Sequence, residues 1–427
     1  MFRIEDDIVR GLLLQGNFGI ERETLRVDSQ GFLAQSAHPA PGDEHIVRDF
    51  CENQIEINTS ISPSAEGALD LLAQHNQKIE SILANMDSPE YLWPFSNPPY
   101  IRSEKDIPIA QFEGEEAWKT EYRNYLSDHY GRYKMAFSGI HVNYSFSDEL
   151  LERDFQLSGE TDFTAYKNGV YLDLAIKAVA YGWILVATTA ASPILDSSFV
   201  EKGKIGDDIF LGLGSVRCSE LGYWNNFSPA LDYTDIVSYA NSIQSYVDTE
   251  WISAPSELYY PIRLKPPGVN SLSGLRERGV SHIELRMYDL NPFAENCIDI
   301  RDIKFGQLLL VWLASTPFEG FNTRYQVQSV QNFKNAAHYD LKTVKIILPD
   351  GSSDTVADSA IKVIAEMREF YDGLGIDVSD VLDFQNAKFV DERNRYAYRV
   401  RDLCKNGFVH EGMKHAIKMQ KEALADC

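Results

Sequence analysis

The sequence predicts an α+β fold built on a mainly antiparallel sheet. Two observations lead there. Four short strand patterns are scattered along 427 residues and separated by long helical insertions of unequal length, which disfavours a doubly wound parallel sheet. Each of those strands also alternates polar with apolar residues, as a sheet with one solvated face does.

The first strand pattern covers 19–27. In a strand, residues i and i+2 share a face, so Glu21 and Glu23 point together. Arg22 and Arg26 take the other side, where pairing with surface acids is expected and contact with a bound ligand is the alternative. The second pattern, 54–58, sets Glu52, Gln54 and Glu56 on one face and Ile55 and Ile57 on the other. Behind Ser62-Pro63, Leu69, Leu72, Ile79 and Leu83 recur at helical spacing over 64–87. Another helical pattern covers 115–133. The strand at 138–146 groups His141, Asn143 and Ser145 against Val142, Tyr144 and Phe146. Helical patterns follow at 166–189 and 233–249. The last strand, 282–287, groups His282, Glu284 and Arg286 against Ile283, Leu285 and Met287. Helices at 303–314, 357–371 and 411–425 complete the chain.

Composition narrows the function classes. There are 63 acids against 40 Lys and Arg, a net charge of −23, which repels phosphate backbones and makes nucleic acid an unsuitable partner. The apolar run 178–195 reads as one buried helix rather than a membrane span, because Asp173 and Lys177 precede it closely and Pro193 and Asp196 follow. The run 305–318 reads as a second buried helix. The acidic N-terminus does not resemble a signal peptide, so a cytoplasmic location is expected. Cys51, Cys218, Cys297, Cys404 and Cys427 are odd in number, widely spaced and without a C-x-x-C pair, which argues against disulfides and zinc. No glycine-rich phosphate loop is present.

The strands carry the functional signal. A wet-faced sheet would show the same alternation, and His141 alone could be a structural histidine. But Glu is a poor strand residue, and carboxylates sharing a face repel unless a cation lies between them. Several Glu with one His suit hard divalent cations, Mg²⁺ or Mn²⁺. Such a floor, with Arg286 beside it, suits a metal-bound triphosphate and charge on a transferred phosphoryl group.

These residues also resemble a known family. Gly-Ile-Glu-Arg-Glu-Thr-Leu-Arg-Val at 19–27 is similar to the opening of bacterial glutamate–cysteine ligase. Further blocks follow in the family's order. They include Asp49-Phe50 with Glu56, Trp93-Pro94-Phe95-Ser96, Ile107-Pro108-Ile109-Ala110-Gln111, the 138–146 strand and Ala191-Ser192-Pro193. Arg217-Cys218-Ser219-Glu220-Leu221-Gly222-Tyr223, Glu257-Leu258-Tyr259 with Pro261-Ile262-Arg263, and 283–293 continue the series. The blocks run from about residue 15 to about 320 and match poorly beyond.

The resemblance implies a glutamine-synthetase-like fold, a curved antiparallel sheet ringed by helices. It implies one catalytic domain over 1–427, with a helical C-terminal part from about 325. It implies ATP-dependent joining of the γ-carboxylate of L-glutamate to the amine of L-cysteine through γ-glutamyl phosphate. By motif, Glu21, Glu23, Asp49, Glu56, His141 and Glu284 would hold two or three Mg²⁺ ions, with Arg286, Glu284 and His141 at the chemistry. Arg217 and Tyr223 would hold substrate carboxylate, and Tyr122, Tyr259 and Phe50 would line the acceptor pocket. Asp49 has the opposite strand parity to Glu56, so it should sit at a bend. Met135 stands where the family pattern leads to a polar acceptor contact, so another small amine is the alternative to cysteine. No residue is assigned as the base for the amine proton. No second ligase module follows, so the product is expected to be the γ-glutamyl compound. The rival from another class is a non-catalytic nucleotide or amino-acid sensor.

Overall fold

The computed structural model describes residues 1–202 and 206–425. Its strands, numbered along the chain, are β1 (Gly16–Val27), β2 (Ile46–Arg48), β3 (Gln54–Asn58), β4 (Tyr91–Leu92), β5 (Ile140–Phe146), β6 (Ile194–Asp196), β7 (Asp208–Phe210), β8 (Ile262–Lys265), β9 (His282–Tyr288), β10 (Lys345–Ile347) and β11 (Ser353–Thr355). The main sheet is antiparallel and open, in the order β2-β3-β1-β5-β9-β8, with β4 on the end of β1. The α+β class read from the sequence is thus the observed one.

β1 shows how the layers arise. Burial alternates along its first half, with Phe18, Ile20 and Arg22 buried and Asn17, Glu21 and Glu23 half-buried. The buried side joins Ile55, Val142 and Ile283 in the main core, over which pack the helices Ala65–Ala84, Phe163–Tyr181 and Ile300–Ser315. At the far end of β1 both faces are covered, because Leu25 and Val27 join a second apolar cluster with Phe50, Trp93, Met135 and Phe408. The polar floor is therefore bounded by apolar packing on that side.

β5 and β9 are joined by a bulge. Val142 pairs with Leu285 but Ile140 pairs with Tyr288, so three steps on β9 oppose two on β5. The extra residue falls opposite His141, and Arg286 Nη1 lies 3.5 Å from His141 Nδ1.

Three sequence expectations need correction. The run 178–195 is not one helix. Phe163–Tyr181 and Trp183–Thr189 meet at a 52° bend, and Ile194 already belongs to β6. At the bend, a Cβ on Gly182 would lie 2.5 Å from the Ala178 carbonyl oxygen and 2.7 Å from the Phe333 ring. No single helix among the described residues is long and apolar enough to cross a membrane, and only this bent pair passes when joined.

Arg22 and Arg26 do not reach surface acids, because their parity is that of the core. Both are buried. Arg22 donates to Asn76 Oδ1 (2.5 Å) and the Asn296 carbonyl (3.4 Å). Arg26 pairs with Glu90 and donates to the Glu52 carbonyl (2.8 Å). Glu52, for its part, sits in the turn before β3, where it accepts from Arg48 (3.0 Å) and the Gln111 amide (2.7 Å), away from the face of Glu56.

The C-terminal helices are tied down by buried polar groups. Lys388 Nζ meets Asp302 Oδ1 at 3.0 Å, Tyr396 donates to Asp302 Oδ2 at 2.7 Å, and Gln385 donates to Oδ1 at 2.8 Å. This binds Ser379–Val390 and Tyr396–Leu403 to Ile300–Ser315. Gln420, on Phe408–Ala425, donates to Glu80 Oε2 (3.1 Å) on Ala65–Ala84. Cys51, Cys218, Cys297 and Cys404 are buried and unbridged, and Cys427 lies outside the described residues.

Candidate active site

Strand register gathers the acids. Glu21 on β1 faces Asn58 of β3 and His141 of β5, and Glu23 faces Glu56. Glu284 on β9 faces Asn143 on one side and Arg263 on the other. One ligand atom each from Glu21, His141 and Glu284 lie within 4.8 Å of one another. His141 Nδ1 is 3.0 Å from Glu21 Oε2 and 4.0 Å from Glu284 Oε1. Its Nε2 is 3.8 Å from Glu23 Oε1. Asn143 donates to Glu21 Oε1 (2.9 Å), and the Gly139 amide to Glu23 Oε2 (2.9 Å). Asp49 sits in the turn after β2, as its parity required, and Arg123 holds its carbonyl at 2.6 Å.

The charges divide into two groups. Glu284 is fully buried, yet Arg286 (3.0 Å) and Lys265 (3.1 Å) overcome the cost of burial and hold its carboxyl well below the usual range. Burial opposes ionisation of Glu21 too, but the His141 hydrogen bond keeps it lowered. For the other three acids, burial outweighs the nearby guanidiniums of Arg123, Arg217 and Arg286. Burial and then Asp49 push Glu23 up to about 8. Burial raises Asp49, and burial with Asp49, Glu21 and Glu23 raises Glu56 well above its ordinary value. Burial and then Arg286 lower His141 to about 4, so its imidazole is neutral near pH 7 and able to bind a metal.

This donor set fits divalent cations. Glu284 Oε2 and Asn143 Oδ1 are buried without a hydrogen-bond partner. Three acids, each with its carboxyl pushed upward by burial, make a place where added positive charge would be stabilised.

A pH dependence follows for the chain without cations. An unfolded Glu titrates near 4.5 and folded Glu23 near about 8, so the native state binds more protons between them. That stability is complete below about 4.5 and is lost as pH rises to about 8. Urea melts in chelator are expected to show it falling across this window, whereas a flat profile would mean that Glu23 ionises normally.

Beside the acids lies a cavity of about 50 Å³ lined by Arg217, Cys218, Tyr223, Tyr259 and Arg286, among others. Arg217 is fixed by the carbonyls of Arg286 (3.0 Å) and Tyr288 (3.4 Å). The rings of Tyr223 and Tyr259 are 4.2 Å apart. Tyr122 and Tyr223 pack against the second apolar cluster, which contains Phe50 and Met135. Phe50 and Met135 are each 2 % exposed and do not line this cavity. A second cavity, about 240 Å³, opens beside Glu21 and is lined by Asn17, Gly19, Thr59, Asn143, Ser145 and His282, among others.

Sequence reading missed Lys265 and Arg263, which sit on β8 and bring two cations to Glu284. β8 is only four residues long. The available signal was the alternation Arg263-Leu264-Lys265, cation-apolar-cation.

Fold and site together make a cleft lined by acids and arginines and floored by side chains of an antiparallel sheet. The chain belongs to the glutamate–cysteine ligase family, whose sequence model matches residues 2–254 and 229–336. The glutathione biosynthesis bifunctional protein of Listeria welshimeri is 30 % identical over 99 % of this chain and 56 % of its own length. That of Streptococcus thermophilus is 34 % identical over 71 % and 40 %. The first of these alignments runs on through the last hundred residues, where the sequence blocks fade. The chain spans about half the length of the curated relatives it matches. A bifunctional glutathione synthetase from Pasteurella multocida superposes with a TM-score of 0.84, at 25 % identity over 98 % of this chain and 54 % of that one. Glutamate–cysteine ligase from Francisella tularensis, in complex with AMP, superposes at 0.86 over 96 % and 89 %, and at 23 % identity that likeness concerns the fold.

Proposed function

We propose that this chain joins the γ-carboxylate of L-glutamate to the amine of L-cysteine at the expense of ATP, the first step of glutathione synthesis. The observation that carries the reading is the convergence of Glu21, His141 and Glu284, with Arg286, on one sheet face in a chain of this family.

In this reading a carboxylate oxygen of glutamate attacks the γ-phosphorus of ATP and ADP leaves. The amine then attacks the carbonyl carbon of γ-glutamyl phosphate, and phosphate leaves with the amine's proton unassigned to a residue. Arg286, backed by Glu284, would meet the transferred phosphoryl group. Glu21, Glu23, Asp49, Glu56, His141 and Glu284 would hold two or three Mg²⁺ or Mn²⁺ ions, which would neutralise phosphate charge. The cavity beside Glu21, which mixes apolar with polar lining, suits the nucleoside end of ATP. Tyr259 would face the acceptor, while Tyr122, on the apolar cluster with Phe50 and Met135, would close its far side. An ATP-dependent step also favours the cytoplasm.

Arg217 and Tyr223 would take the substrate carboxylate, and Gly139 makes room for that arginine. A Cβ at Gly139 would stand 2.1 Å from Arg217 Cζ. Gly139→Ala is therefore expected to raise the glutamate KM by about tenfold or more while the protein still folds. An unchanged glutamate KM in steady-state assays would remove Arg217 from glutamate binding.

The test of the function incubates the protein with ATP, Mg²⁺, L-glutamate and a panel of amines. ADP and the γ-glutamyl product, the latter by mass, are followed. Product with cysteine is expected. Turnover with another amine alone would reassign the acceptor, and ATP binding without ADP would leave a sensor.

A further inference from the structure

We infer that Glu257 is a positioning residue for the acceptor side of the cleft, its carboxylate clamping the helix Ala117–Tyr130 onto the wall that carries Tyr259. The inference rests on the ligase reading above and adds a residue to it.

Glu257 is fully buried but lies off the acidic floor, in the turn Pro255–Glu257 that precedes β8. Its Oε1 accepts from the hydroxyls of Tyr130 (2.8 Å) and Tyr125 (3.3 Å). Its Oε2 accepts from the amide (2.6 Å) and hydroxyl (2.9 Å) of Ser253. A buried carboxylate is tolerated when neutral donors surround it in this way. Both tyrosines belong to Ala117–Tyr130, whose one fully buried residue is Leu126. A helix with so little apolar burial opens easily unless polar contacts hold it. Burial, then bonding to Glu257, raises the Tyr130 hydroxyl's pKa and keeps it a donor.

Two routes lead from this clamp to the cavity. The Tyr130 ring stands edge-on to Tyr259, with centroids 5.3 Å apart. Asn225 forms the second route. Its Nδ2 donates to the Glu257 carbonyl (2.8 Å) and to the Tyr130 hydroxyl (3.1 Å), while its Oδ1 accepts from the Tyr259 amide (2.8 Å). These contacts end on Tyr259 and not on Glu21, Glu23, His141 or Glu284. Loosening the clamp should therefore weaken acceptor capture and leave phosphorylation of glutamate intact.

Glu257→Gln keeps the shape but turns an accepting oxygen into an NH₂ facing other donors. It is expected to raise the acceptor KM by about tenfold. Glutamate-dependent positional isotope exchange in ATP, measured without acceptor, should stay within about twofold of wild type. Backbone hydrogen exchange across 117–130 should speed up. Tyr130→Phe, which keeps the ring and deletes one donor, should show the same pattern more weakly, and it carries the test if Glu257→Gln fails to fold. Equal loss of isotope exchange and acceptor turnover would overturn the inference. So would an unchanged acceptor KM, or unchanged protection across 117–130. If the wild type makes no γ-glutamyl product with any amine, the ligase reading falls, and hydrogen exchange alone decides the clamp.

Discussion

Glu284→Gln is expected to stop turnover and to weaken the fold together. The wild-type carboxylate has no exposed surface and neutralises Arg286 and Lys265, with Arg263 nearby. Removing it leaves half-buried cations facing one another, which costs about 3 kcal/mol. The same change would free Arg286 from its 3.0 Å anchor, so the guanidinium would no longer be held toward the phosphoryl site. Losing a preorganised charge contact of this kind costs a hundredfold or more in rate, on the order of 3 kcal/mol. Urea melts and ADP release measure the two losses on one sample. A variant with near-wild-type turnover would remove Glu284 from the chemistry.

Lys388→Met should give the largest loss of stability away from the site. Lys388 and Asp302 are 1 % and 2 % exposed, so the methionine would leave a buried carboxylate with only Tyr396 and Gln385 as donors. Breaking a buried pair on one side costs about 3–5 kcal/mol. Adding Asp302→Asn removes the stranded charge and should recover part of that loss. Denaturant melts of wild type, single and double variants check this, and a loss below about 1 kcal/mol in the single variant would refute the argument. The acids around Glu21 lie outside this contact network, so catalytic constants at low temperature should change little.

Much of the floor was legible in the sequence because a strand has a period of two. Glu21 with Glu23, His141 with Asn143, and Glu284 with Arg286 each follow from alternation alone. Alternation states which residues share a face, but not which face is buried. Arg22 and Arg26 were placed outside for that reason, although a buried arginine needs only donors' partners such as Asn76, Glu90 and main-chain carbonyls. The apolar run 178–195 failed differently. Its composition suits one helix, but a contact with Phe333, far along the chain, requires Gly182 and the bend there. β8 escaped because a four-residue strand is stabilised by its neighbour β9, which no local pattern reveals. The same holds for Glu257. Its motif is visible, but its hydroxyl partners come from about 130 residues away.

The bulge in β9 has a further meaning for how this site is written in the chain. Leu285 and Tyr288 both oppose core-facing residues of β5, although they are three apart rather than two or four. The strand thus changes phase once, opposite His141, as a ruler would if one division were inserted. Deleting a single residue between Leu285 and Tyr288 would restore an even count. With Met287 removed, Glu284 and Arg286 would still share the floor face, but the core would lose a buried side chain. The inserted residue therefore gives the core two consecutive side chains, Met287 and Tyr288, without moving the arginine from the face that alternation assigns it.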